Sequence, residues 1–170
     1  MESFDVVVVG ARCAGSALAI YLARAGMRVC LFDKAAFPSE TPSTHVLQPR
    51  GVAILDELGA LEPLLARSAA QLDRFSVVID DIRIDGVLDD RYTHPGLNVR
   101  RTILDQALLQ IARDAGADVR TRCRVTGARR SGGRVIGIDT AHGPLEAGLV
   151  VGADGRGSVI AESVGAHKYL

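Results

Sequence analysis

The sequence predicts an α/β domain, with a mainly parallel sheet and an added antiparallel layer. Three observations carry that expectation. A continuous apolar run, Phe4–Val9, stops at Gly10, gives way to a helical stretch, and resumes as Arg28–Phe32 before Asp33. Runs of that kind, apolar on both faces, are how buried parallel strands read. Further on, short alternating runs (FSVVI, IRIDGVL) read as antiparallel strands, and a second helix returns to apolar strand patterns. This succession places antiparallel material beside β-α-β units.

In order along the chain, Phe4–Val9 is the first strand. Ala14–Ala25 is helical, with Leu18, Tyr21, Leu22 and Ala25 at helical spacing, and Gly26 stops it. Arg28–Phe32 is the second strand. Lys34–Pro49 is rich in Pro, Ser and Thr and reads as a loop; irregular stretches of that length in compact domains are usually functional. Gly51–Leu58 resumes helical spacing through Val52, Leu55 and Leu58. Phe75–Val99 reads as antiparallel strands. Leu104, Leu108, Ile111 and Ala115 mark a further helix, with Thr102 and Asp105 spaced as a capping box. Ala117–Thr121 returns to the sheet. Arg124–Ala128 and Arg134–Thr140 form a hairpin around Ser131-Gly132-Gly133, and Leu149–Val151 reads as a last buried strand before GADGRGS.

Composition narrows the classes. The 170 residues suit one ordinary domain, with a formal net charge of zero and no Trp. Such a balance gives no global field favouring nucleic acid or a membrane surface, and the few aromatics argue against base stacking. No apolar run approaches the ~20 residues of a spanning helix, so stable membrane insertion is not expected. The start, MESFDVVVVG, is acidic and unlike a signal peptide. Cys13, Cys30 and Cys123 show no metal-ligand spacing, and an odd, low count points to unpaired thiols in a reducing, cytoplasmic compartment. No metal site is expected.

The first β-α-β unit has the physical form of a dinucleotide turn. Gly10 permits the tight turn, Gly15 lets the helix pack close to the strand, and the helix start offers unpaired amides and a positive dipole to phosphates. Asp33 ends the second strand about 20 residues on, where a carboxylate accepts from ribose hydroxyls and repels a 2′-phosphate. Arg12 stands where the pattern has its middle glycine. It either exchanges backbone contact for a guanidinium that pairs with phosphate, or points to solvent.

Three motifs in order resemble the flavoprotein hydroxylase superfamily, the group with the p-hydroxybenzoate hydroxylase fold, and its geranylgeranyl reductase relatives: the turn Gly10–Gly15, the R-x-x-L-D stretch Arg101–Asp105, and the G-A-D-G-x-x-S stretch Gly152–Ser158. The resemblance covers nearly the whole chain. It implies a Rossmann-like FAD/NAD(P)-binding domain with an antiparallel insert and a β-hairpin crossover. FAD is the implied cofactor, with NAD(P)H as transient electron donor. Gly10, Ala11, Arg12, Cys13, Ala14 and Gly15 would hold the pyrophosphate, and Asp33 with Lys34 the adenosine ribose. Arg101 would lie near the phosphates or flavin side chain, Val125 would give a backbone contact to adenine, and Asp154 with Gly155 would form the late FAD motif. The alternatives are a solvent-exposed Arg101 and a simple turn at Asp154. Thr44 and His45, in PSETPSTHVLQPRG, would run toward the flavin, with Arg50 adding charge; for His45, catalysis, cofactor proximity and plain loop structure stay open. His94, His142 and His167 read as surface residues. No catalytic residue is named.

The pattern departs at its end. Ala161 stands where an arginine usually follows the third motif, which weakens the nicotinamide-handling part. The family continues for a few hundred residues beyond this length, so residues 1–170 read as a truncated FAD-binding domain, with 70–99 part of an insert belonging to the substrate-side layer. The expected function is the FAD-binding portion of a flavin-dependent monooxygenase or reductase acting on a small-molecule substrate. The alternatives are a non-catalytic nucleotide-binding remnant or partner subunit, and an NAD-binding dehydrogenase domain, which leaves GADGRGS unexplained. A sheet cut at this point leaves apolar faces uncovered, so self-association or a covering partner chain is expected.

Overall fold

A computed structural model describes residues 2–88 and 93–167. In chain order its elements are β1 (Ser3–Val9), α1 (Cys13–Arg24), β2 (Val29–Phe32), β3 (Val46–Leu47), α2 (Pro49–Glu57), α3 (Leu61–Leu65), β4 (Ala70–Leu72), β5 (Arg74–Ile79), β6 (Ile82–Val87), β7 (Gly96–Asn98), α4 (Arg101–Asp114), β8 (Asp118–Arg120), β9 (Val125–Ser131), β10 (Arg134–Thr140), β11 (Gly143–Gly152) and α5 (Val159–Ser163). The chain divides into two compact units, Met1–Ser39 with Leu108–Leu170, and Glu40–Ala107. Of the expected insert 70–99, residues 89–92 lie outside the described residues.

The first unit is built on a six-stranded sheet ordered β8-β2-β1-β11-β10-β9. β1 pairs in parallel with both β2 and β11, and β2 in parallel with β8. β11 serves two partners: its first residues pair antiparallel with β10, and from Glu146 onward it also runs parallel to β1. The four valines of β1 are buried because both faces of the strand are covered. On one face Val7, Val9, Cys30 and Phe32 share a cluster with Cys123, Val125, Ile138, Leu145, Ala147 and Ile160. The helix α1 packs against β1 and β2.

Facing follows the sequence reading at Gly15 of α1 and departs from it in β11. Along α1 the buried residues are Gly15, Ser16, Ala19 and Ile20, while Tyr21 is exposed. A stripe of small residues lets the helix axis approach the sheet, which a face of Leu18, Tyr21 and Leu22 would hold off. In β11, Leu145 and Ala147 enter the core, but Leu149 is 55% exposed.

The second unit holds a three-stranded sheet, β3-β7-β4, and the separate hairpin β5-β6. Val52 and Leu55 of α2, with Leu58 just after it, are buried as the spacing predicts. α3 and β4 were not legible: each is too short to establish a period. The helix α4 crosses the boundary between the units. It starts at Arg101, with the Arg100 carbonyl accepting from Ile103 and Leu104. Thr102 therefore lies inside the first turn rather than at its cap, and the expected capping box is displaced by the pairing of Asp105 described below.

Candidate functional site

The carboxyl ends of three parallel strands, β2, β1 and β11, lie side by side in the first unit. Gly10, just past β1, donates its amide to the Phe32 carbonyl at 2.7 Å, and Ala153 donates to the Val9 carbonyl at 2.7 Å. Gly10 sits at φ +103°, and a Cβ there would stand 2.4 Å from the Ala153 oxygen. A Cβ on Gly15 would stand 1.8 Å from the Gly10 oxygen. Both glycines are thus required by close approach of the chain to itself: Gly10 against the Gly152–Asp154 turn, Gly15 against Gly10.

Ala11, between them, is fixed at both backbone groups. Its amide donates to Asp33 Oδ2 at 2.8 Å, and its carbonyl accepts from the Ser16 hydroxyl at 2.9 Å. Asp33 is nearly buried. Its Oδ1 accepts from the Ala35 amide at 2.8 Å, its amide donates to the Arg120 carbonyl, and its carbonyl accepts from Cys123. The Asp33 carboxylate thus braces the turn, a role its position in the sequence did not reveal. Each carboxylate oxygen has two acceptor sites, so this bracing leaves capacity for hydroxyl donors. Ser16 also went unrecognised; its only signal is a hydroxyl within a helix face of small residues.

The first bond of α1 runs from the Ser16 amide to the Arg12 carbonyl, so the amides of Ala14 and Gly15 have no acceptor in the helix ladder. No acidic residue stands in the first turn, and Arg12, at the N-cap, makes no side-chain cap bond. The positive end of α1 is left for an anion. Arg12 is half-buried rather than turned to solvent. Its guanidinium lies 5.0 Å from the Phe37 ring centroid and donates to Ser39, to Oγ at 2.7 Å and to the carbonyl at 3.3 Å. Lys34 is exposed and Cys13 half-buried.

Beyond β11, Asp154 Oδ2 accepts from the Val159 amide at 2.7 Å, and the Ser158 hydroxyl caps α5 through Ala161 at 3.0 Å. Asp154 Oδ1 is buried without a partner. Burying an unpaired carboxylate oxygen is costly, and such atoms mark places where a ligand donor fits. Gly155, at φ +83°, has open space beside it. Val125 begins β9 and is buried; two residues earlier, the Cys123 amide binds the Asp33 carbonyl at 3.0 Å. The turn at Gly10–Gly15, Asp33 and Asp154–Gly155 therefore follow the carboxyl ends of neighbouring strands, and the chain just before Val125 is tied to Asp33 through Cys123.

Thr44, His45 and Arg101 belong to the second unit. Thr44 is exposed. His45 has φ 61°, its carbonyl accepts from Val99 at 2.9 Å, and its Nδ1 is buried without a partner. The Arg101 Nε and Nη2 both donate to the fully buried Asp105, the shortest contact being 2.9 Å. Arg101 is thus not turned freely to solvent. His94 is held between Asp56 and Thr93, each at 3.0 Å, and Arg50 is exposed on α2. Among the described residues no cluster of His, Cys, Asp or Glu has the form of a metal site, and no helix is long and apolar enough to cross a membrane.

Residues 3–169 match the family described as FAD binding domain. The chain belongs to that family. The cofactor of the fold is accordingly FAD, and the turn, the strand-end acid and the orphaned Asp154 oxygen fit it. Menaquinone reductase of Mycobacterium tuberculosis is 34% identical over 167 residues, covering 96% of this chain and 40% of its own length. A flavoprotein/dehydrogenase from Cytophaga hutchinsonii superposes with a TM-score of 0.84 at 28% identity, over 96% of this chain and 42% of that one. A geranylgeranyl bacteriochlorophyll reductase-like protein from Thermoplasma acidophilum superposes with a TM-score of 0.81 at 24% identity, over 97% and 42%; that likeness shows the fold. The FAD-binding domain described here thus spans about 40% of the length of the curated relative.

Proposed function

We propose that this chain is the FAD-binding portion of an NAD(P)H-linked flavin-dependent oxidoreductase. The observation that carries the reading is the strand-end arrangement in the first unit: an open helix start, Asp33 beside it, and Asp154 with a buried oxygen lacking a partner. Bound FAD supplies the redox chemistry. The residues of the chain bind and orient it. The α1 amides take the pyrophosphate, Asp33 the adenosine ribose hydroxyls, with Lys34 alongside, and the Val125 backbone the adenine. Asp154 Oδ1 accepts from a hydroxyl of the cofactor's polyol, which relieves its burial. In the second unit, Arg101, oriented by Asp105, is assigned to the phosphate side, and Thr44 and His45 to the flavin side.

Between reductase and monooxygenase, the 34% identical menaquinone reductase favours reduction of a small-molecule substrate. The three cysteines, none of them in a disulfide, favour a reducing, cytoplasmic setting. The exposed apolar hairpin β5-β6 favours self-association or a covering partner. A non-catalytic remnant remains the competing reading, separated from the first by whether bound flavin bleaches with NAD(P)H.

The test is a visible absorption spectrum of the chain after FAD addition and gel filtration, beside Asp33→Asn and Asp154→Ala. Retained flavin bands in the wild type, lost in Asp33→Asn and weakened in Asp154→Ala, are expected. Equal retention in all three overturns the assignment of the site.

A further inference from the structure

Arg12 closes a ring. The Ala11 amide binds Asp33 Oδ2, Asp33 Oδ1 binds the Ala35 amide, the chain runs from Ala35 to Ser39, and Ser39 is held by Arg12, the neighbour of Ala11. The Ala35 carbonyl is fixed from outside by the Arg122 amide at 3.0 Å. Phe37 and Ser39 are both half-buried, and the guanidinium both stacks on the first and binds the second. Two of the ring's members are the helix start that faces phosphate and the acid that faces ribose.

The guanidinium gives its face to Phe37 and a donor from each terminal nitrogen to Ser39. A glycine here would leave residues 34–39 without that anchor. We propose that Arg12 is a positioning residue, a clasp that holds segment 34–39 against the dinucleotide turn and slows release of the adenosine diphosphate half of the cofactor. This rests on the FAD reading above and deepens it. The substitution in the glycine pattern is then a gain of wall rather than a degraded phosphate contact.

Two variants separate the clasp from direct phosphate pairing. R12G removes the guanidinium. F37A/S39A keeps the guanidinium and removes the stacked ring and the hydroxyl. Amide exchange of segment 34–39 is measured in the cofactor-free chain, and FAD release is timed after loading. Both variants are expected to speed exchange across 34–39 while β1 and β2 amides stay protected. Both are expected to speed FAD release about tenfold, the order expected for losing one cation–π contact and one charged hydrogen bond. R12K, which keeps the charge over the ring but not the fork, recovers part of the loss. Combining R12G with F37A/S39A adds little, because the two act through one contact.

F37A/S39A releasing FAD at the wild-type rate or slower, with R12G faster, overturns the clasp in favour of phosphate pairing. Unchanged exchange at 34–39 in R12G overturns it without reference to FAD. A wild-type chain that takes up no FAD overturns the cofactor reading instead, and the exchange comparison still reports on the ring.

Discussion

Single residues in this turn do several things at once, and that limits what sequence position reveals. From its place after the second strand Asp33 was expected to serve as a ribose acid. Its hold on the Ala11 and Ala35 amides was not, because those contacts depend on how the turn folds back. Arg12 was legible only as a departure; its partners lie 25 and 27 positions away, at Phe37 and Ser39. Gly10 carries the sharpest stability prediction. Gly10→Ala places a methyl 2.4 Å from the Ala153 oxygen at φ +103°, and costs on the order of 2 kcal/mol or more in urea unfolding. A loss within a few tenths of a kcal/mol would show that the turn relaxes freely. Burial, and then the nearby Asp118, push the Cys30 thiol well above its ordinary range. The unfolded chain's thiol ionises first, near pH 8.5. Unfolded chains thus lose that proton before folded ones, and stability falls as pH rises above that value. The decline is expected to flatten in Cys30→Ala, measured as the slope of unfolding free energy between about pH 8 and 10; an unchanged slope contradicts it.

At the scale of elements, strands whose two faces are both buried were read well, since an unbroken apolar run needs no choice of face. β1 and β2 match within a residue or two. Helix α1 was placed, and Gly15 was expected on the face that packs close to the strand, where it is buried. The hairpin β5-β6 was read as strands, and its register gathers exposed apolar residues on one face. Phe75 opposes Gly86, Val77 opposes Ile84 and Ile79 opposes Ile82, so one face is apolar throughout. Ser76, Arg83 and Asp85 hydrogen-bond one another on the other face. Charges placed in the Val77/Ile84 pair, as Val77→Lys with Ile84→Lys, are expected to raise solubility and abolish concentration-dependent association in sedimentation velocity. A wild-type chain that stays monomeric at high concentration contradicts the expectation.

For the molecule as a whole, the triple of motifs identified the family before any coordinates, because each motif marks a place where the chain turns at the end of a parallel strand or enters a helix. What it could not convey is how far one side chain serves two of those places, as Asp33 does for the turn and for segment 34–39. The groups proposed to face the cofactor come from distant parts of the chain: residues 10–15, 33 and 154 follow the carboxyl ends of β1, β2 and β11, which are neighbours in one sheet. This sheet end is expected to bind FAD in particular. Equilibrium titration of the wild-type chain with FAD, run beside NAD, tests it most directly. Saturation at one FAD per chain, with NAD binding far more weakly, is the predicted result; preference for NAD, or no saturable binding of FAD, would contradict it.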